Sequence, residues 1–137
     1  MRRSLPTLFA LLTLAAPVAG QAKPGHRFFV GYYQALPGKF EATNKWVADI
    51  VIPVYDELVK RRAIVSYLQL VQSAGARENT HLFIFEVPNW AGLDGFDAKL
   101  NEAAQATLHK SWSDATAGAP ELFRTVRIEY YGAAGQP

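Results

Sequence analysis

The chain alternates strand, helix, strand, strand, helix, strand, with strands that are apolar on both faces and only two helices to cover them. Over residues 28–36 the two-residue alternation of a strand puts Phe28, Val30 and Tyr32 on one side and Phe29, Gly31 and Tyr33 on the other. Residues 82–87 repeat the pattern, with Leu82 and Ile84 opposed to Phe83, Phe85 and Val87. A single helical layer dries one sheet face and leaves the other apolar in water, so a second copy of the chain is the expected cover.

The punctuation between these runs fixes the order of elements. Leu36-Pro37-Gly38 turns the first strand into a helix predicted over residues 40–62, with an inward stripe of Phe40, Thr43, Val47, Ile50, Val51, Val54 and Leu58. Pro53 lacks a backbone donor and crowds the carbonyl of Asp49, which predicts a kink or two helical segments. Lys60, Arg61 and Arg62 complement the negative end of that helix. Strands over residues 64–72 and 80–87, joined by a short polar loop with Gly75, form an antiparallel hairpin. A second helix is predicted after Pro88-Asn89-Trp90, capped by Asp94, with Phe96, Leu100, Ala104, Leu108 and Trp112 inward and with Gly118 and Pro120 as its stop. The last strand covers residues 122–131. Two right-handed crossovers then give an α+β, ferredoxin-like βαββαβ plait: a four-stranded antiparallel sheet with two helices on one face.

Ahead of this domain stands an export signal. Arg2 and Arg3 precede an apolar run over residues 5–16, and small residues at Val18, Ala19, Gly20 and Ala22 suit cleavage, dividing the chain into a signal peptide (1–22) and one domain (23–137). The apolar run is shorter than the roughly 20 residues a bilayer requires, so no stable membrane anchor is expected, and the protein is periplasmic or secreted. Arg2-Arg3 raises twin-arginine export, but Ser4-Leu5-Pro6 fits that motif poorly. The signal carries two of the 14 basic residues and none of the 12 acidic ones, so the processed chain is formally neutral. Without a basic excess nothing recommends a nucleic-acid partner. With no cysteine the exported domain has no disulfide and no thiolate nucleophile, and its stability rests on packing.

The order of elements, Leu36-Pro37-Gly38-Lys39 leading into the first helix and Pro88-Asn89-Trp90 leading into the second, resembles the dimeric α/β-barrel superfamily, over residues 27–131. Antibiotic-biosynthesis-monooxygenase-like and stress-responsive barrel domains belong to it. The resemblance implies that the plait dimerises into an α/β barrel, two sheets packed face to face, with a pocket in each subunit between sheet and helices. It implies no particular reaction, since one fold hosts many.

Three histidines, His26, His81 and His109, lack the spacing of a metal site, and no serine sits in a nucleophile elbow. Polar and aromatic residues on otherwise apolar elements remain: Tyr32, Tyr33, Gln34, Tyr67, Gln69, Glu86, Arg124, Arg127 and Glu129. Tyrosines in strands ordinarily pack by the ring, and Arg127 with Glu129 reads equally as a charge pair. The constellation chosen for ligand binding is Tyr32, Tyr67, Trp90 and His109, with His81 and His109 as the catalytic candidates. The first reading is an exported homodimer that holds a small, largely apolar organic molecule without a cofactor. The alternatives are a cofactor-independent monooxygenase or haem-degrading enzyme, in which a histidine serves as base or axial ligand, and a non-catalytic interaction module whose interior is filled by its own side chains.

Overall fold

The computed structural model describes residues 23–75 and 78–133; the export signal expected over residues 1–22 lies outside the described residues. Strands β1 (Arg27–Ala35), β2 (Ser66–Val71), β3 (His81–Val87) and β4 (Phe123–Gly132) form one antiparallel sheet in the order β2-β3-β1-β4. That is the ferredoxin-like plait expected from the sequence. A bulge in β4 opposite Tyr32 and Tyr33 shifts the β1–β4 register by one residue.

The first crossover divides into two α-helical segments, one of the two outcomes Pro53 predicts. α1 (Phe40–Trp46) opens into a π-helical turn (Val47–Val51) and then α2 (Ile52–Lys60). The Ile52 N–H reaches back five residues to the Val47 carbonyl, so the widened turn lies directly ahead of the proline that has no proton to give.

The second crossover corrects the sequence reading at both ends. α3 (Phe96–Leu108) starts after Gly95, whose φ of 63° is left-handed, and not from a cap at Asp94. It stops at His109, which takes φ 56°, well before Gly118. Ser111 then caps a short α4 (Trp112–Thr116) by accepting from the Asp114 N–H, and a 3₁₀ turn (Ala119–Glu121) leads into β4.

The core lies between helices and sheet. Val47, Val51, Val54, Tyr55 and Leu58 meet Phe83, Phe85 and Val87 of β3 and Leu100, Ala103 and Ala104 of α3. Phe85 is 3% exposed and stacks between Phe29, at 4.7 Å, and Phe96, at 4.9 Å.

Among the described residues no helix covers the opposite sheet face. Strand register places Phe28, Val30 and Tyr32 beside Leu82, Ile84, Leu68 and Leu70, with Leu68 51% and Leu70 46% exposed. Along the β4 side of this face runs a polar stripe that pairs with itself. Arg127 lies 3.1 Å from the Glu129 carboxylate and 3.8 Å over the Tyr32 ring, Tyr131 donates to Glu129, and Arg124 donates to Gln34 at 2.8 Å. At another corner of the face, Glu86 accepts from Ser66 at 2.8 Å and meets His26 at 2.5 Å. Among the described residues, no helix is long and apolar enough to cross a membrane and no three metal-ligating side chains converge.

Candidate functional site

A cavity of about 240 Å³ opens between the first crossover, the sheet and α4. Its walls are mostly rings. Trp46 and Phe123 stand 5.2 Å apart on one side, Tyr33 meets Phe123 edge-on at 5.5 Å, and Tyr55 meets Phe83 edge-on at 4.4 Å. Val47 and Val51 of the π-turn form the helical wall, and Trp112 and Thr116 bring α4 across the remaining side. The π-turn sets this up: it widens the helix where the buried stripe is two residues across, so Val54 and Tyr55 both point inward and Tyr55 becomes part of the cavity wall.

Polar atoms are few, and they divide into two kinds. His81 belongs to the first, already engaged by its neighbours. The ring is 4% exposed, its Nε2 lies 2.8 Å from the Asn44 side-chain oxygen, and its Nδ1 lies 2.8 Å from the Thr80 hydroxyl. Asn44 accepts, so Nε2 carries the proton and Nδ1 accepts from Thr80. Burial lowers the His81 pKa, which keeps the imidazole neutral. Thr80 in turn accepts from the Ala35 N–H at 2.7 Å, tying β1, β3 and α1 together through one hydroxyl.

The second kind has no protein partner. Tyr33 and Tyr55 both line the cavity, and neither hydroxyl makes a hydrogen bond among the described residues. Burial raises the pKa of each, and for Tyr55 the neighbouring Tyr33 adds to the rise, so both remain protonated donors. The Tyr33 ring folds back over β1 onto Gly31, where an added Cβ would lie 2.5 Å from the Tyr33 hydroxyl oxygen. Glycine at that point of the strand is what lets the phenol lie down.

The sequence candidates are dispersed. Of the five, His81 lines the cavity. Tyr32 lies on the bare sheet face under Arg127. Tyr67 is on the helical side, but its hydroxyl donates to Asp56 at 2.6 Å, and burial together with that acceptor pushes its pKa up to about 12. Trp90 is 52% exposed and packs on Tyr130 and Arg27. His109 is an exposed helix terminator. Tyr32, Tyr67, Trp90 and His109 therefore do not meet around one ligand. The sequence reading passed over Tyr55, although the four-residue steps Val47, Val51, Tyr55 carried its signal.

Haem is the cofactor of the haem-degrading alternative, and the residues present do not suit it. An axial ligand needs an imidazole nitrogen with an available lone pair. Both His81 nitrogens are bonded within the protein, His26 is paired with Glu86, and His109 lies outside the cavity.

Neither the known protein families nor the curated proteins contain a sequence match to this chain. Solved structures do match it in fold. HapK from Hahella chejuensis superposes with a TM-score of 0.56 at 10% identity, over 81% of this chain and 95% of its own. MupZ from Pseudomonas fluorescens gives 0.52 at 14% identity, over 78% and 71%, and protein SO0527 from Shewanella oneidensis gives 0.51 at 19%, over 80% and 91%. At these identities the likeness is one of fold, a four-stranded antiparallel sheet with helices of the ferredoxin-like kind.

Proposed function

We propose that this protein is an exported homodimer that binds a small, largely apolar organic molecule in the cavity between helices and sheet. The observation that carries the reading is the cavity itself: about 240 Å³ walled by aromatic and aliphatic side chains with a few polar groups among them, the usual make-up of a small-molecule site. A core packed solid by its own side chains, as a pure interaction module would have, leaves no such space. Export rests on the sequence of residues 1–22.

Dimerisation rests on the bare sheet face. Leu68, Leu70, Leu82 and Ile84 form an apolar patch, and the adjoining Arg127 with Glu129 and His26 with Glu86 are paired within the subunit, so a second sheet can dry this part of the face without orphaning those groups.

Native mass spectrometry of the processed protein tests the reading. A dimer retaining a small molecule, or taking one up saturably with quenching of Trp46 and Trp112 fluorescence, is the expected result. An empty protein that binds no apolar ring compound at millimolar concentration overturns it.

A catalytic reading, cofactor-independent oxygen chemistry, has one observation in its favour, the neutral His81 in the cavity wall. Oxygen uptake with 1-naphthol, abolished in His81→Gln, would move the assignment to it.

A further inference from the structure

The cavity contains an imbalance that a purely apolar ligand leaves in place. Tyr55 is 7% exposed, packed against Phe83, Phe85 and Trp112, and its hydroxyl has no partner among the described residues. Solvent reaches that hydroxyl through the cavity, since it is not among the buried polar atoms left without a partner, so a ligand that displaces this water must supply the acceptor itself. Tyr33, its electrostatic neighbour, is in the same condition, held over Gly31 with its hydroxyl unbonded. Two phenol donors thus face one space, and both stay protonated because burial opposes their ionisation.

Resting on the small-molecule reading above, we propose that the ligand is a neutral ring compound bearing a carbonyl, whose oxygen accepts from the Tyr55 and Tyr33 hydroxyls. Each part of this description has its own ground. The group must accept, since a phenol at neutral pH is foremost a donor and both donors are vacant. It must be neutral, since no side chain lining the cavity carries a positive charge and a carboxylate there would be buried without a counter-ion. Ring shape follows from walls made of Trp46, Phe83, Trp112 and Phe123, and the volume of about 240 Å³ suits one or two rings. The half-buried Gln69, which lines the same space with no side-chain partner among the described residues, offers a further polar contact to a substituent.

Three probes of similar size separate the possibilities on the processed full-length protein: 1-tetralone, its hydrocarbon counterpart tetralin, and 1-naphthoate. Titration calorimetry is expected to rank 1-tetralone about tenfold or more ahead of tetralin, the worth of one neutral hydrogen bond, with 1-naphthoate weakest. In Tyr55→Phe the ketone loses that advantage and tetralin binds at least as well; Tyr33→Phe gives a smaller loss in the same direction. Tyr55→Phe should also melt no lower than wild type, because removing an unpartnered hydroxyl leaves nothing unsatisfied. Tetralin equal to or tighter than 1-tetralone in the wild type, naphthoate as the tightest probe, or a Tyr55→Phe protein that melts clearly lower each overturns the proposal while leaving the small-molecule reading standing. If none of the three binds, the small-molecule reading itself falls, and this inference with it.

Discussion

The two faces of the sheet are built from alternate residues of the same strands, yet they treat polar groups in opposite ways. On the bare face nearly every charge has a neighbour: Arg127 with Glu129 and Tyr32, Tyr131 with Glu129, Glu86 with His26 and Ser66. On the covered face the aromatic lining of the cavity includes two tyrosine hydroxyls with no partner among the described residues. The bare face answers most of its charges within the subunit, which suits it to a second apolar surface. The covered face holds two donors that solvent reaches through the cavity and that no side chain answers among the described residues, which suits it to a ligand. Burial alone does not distinguish an interface from a binding site; the state of the polar groups does.

The largest effect that probes this contrast is Phe85→Ala. Phe85 lies in the stack Phe29–Phe85–Phe96, and its truncation should cost about 3–5 kcal/mol of unfolding free energy by urea titration. A loss below about 1 kcal/mol would mean that the covered face is not the core. Next comes Leu68→Lys, on the other side of the same sheet. Half exposed in one subunit, Leu68 adds little to that subunit's own stability, so the charge should leave the fold intact while weakening self-association. A shift of about a hundredfold in the dimer dissociation constant is expected by analytical ultracentrifugation. If wild-type protein sediments as a folded monomer at micromolar concentration, the bare face is not an interface between copies.

Gly31→Ala acts on the cavity alone. The new methyl would press on the Tyr33 hydroxyl and ring, and displacing them should cost about 1–2 kcal/mol in urea titrations. Ligand uptake should change more than stability does, because the displaced ring enters or leaves the binding space. Unchanged binding in Gly31→Ala would remove Tyr33 from the site.

The fold was legible because it is written in periodicity. Alternation in β1 and β3 sorts Phe83, Phe85 and Val87 from Leu82 and Ile84 as the structure does, and Pro53 announces an interruption in the first crossover. The ends of the second crossover were not legible. Asp94 is a good cap by composition, but Gly95 reaches the left-handed conformation at no steric cost, and His109 adopts it to end α3 without the glycine that usually marks such a stop. The cavity was legible as a place and not as a residue list. Its polar members depend on which side chains have found partners, and a sequence holds no record of partners. Tyr67 and Tyr55 are equally plausible tyrosines in the sequence, and the structure separates them by the cavity wall that Tyr55 joins and the acceptor that Tyr67 finds in Asp56.

The smallest expected effect concerns His81, the group that belongs to the cavity wall yet is satisfied in the manner of the bare face. Burial lowers its pKa in the folded state, so the unfolded chain takes up the proton first as the medium is acidified. Its stabilising contribution is therefore complete above the ordinary histidine pKa, about 6.5, and declines as pH falls between that value and the lower folded one. Melting temperature should drop on going from about pH 7 to about pH 5, and in His81→Gln the part of that drop due to this residue should vanish, leaving a flatter profile. Gln can still meet Asn44 or Thr80 from that position, so the variant isolates the proton from the packing. A His81→Gln profile parallel to the wild type would show that the imidazole does not resist protonation where it sits. The neutral ring would then lose its place among the uncharged walls, and with it the ground for expecting an uncharged ligand.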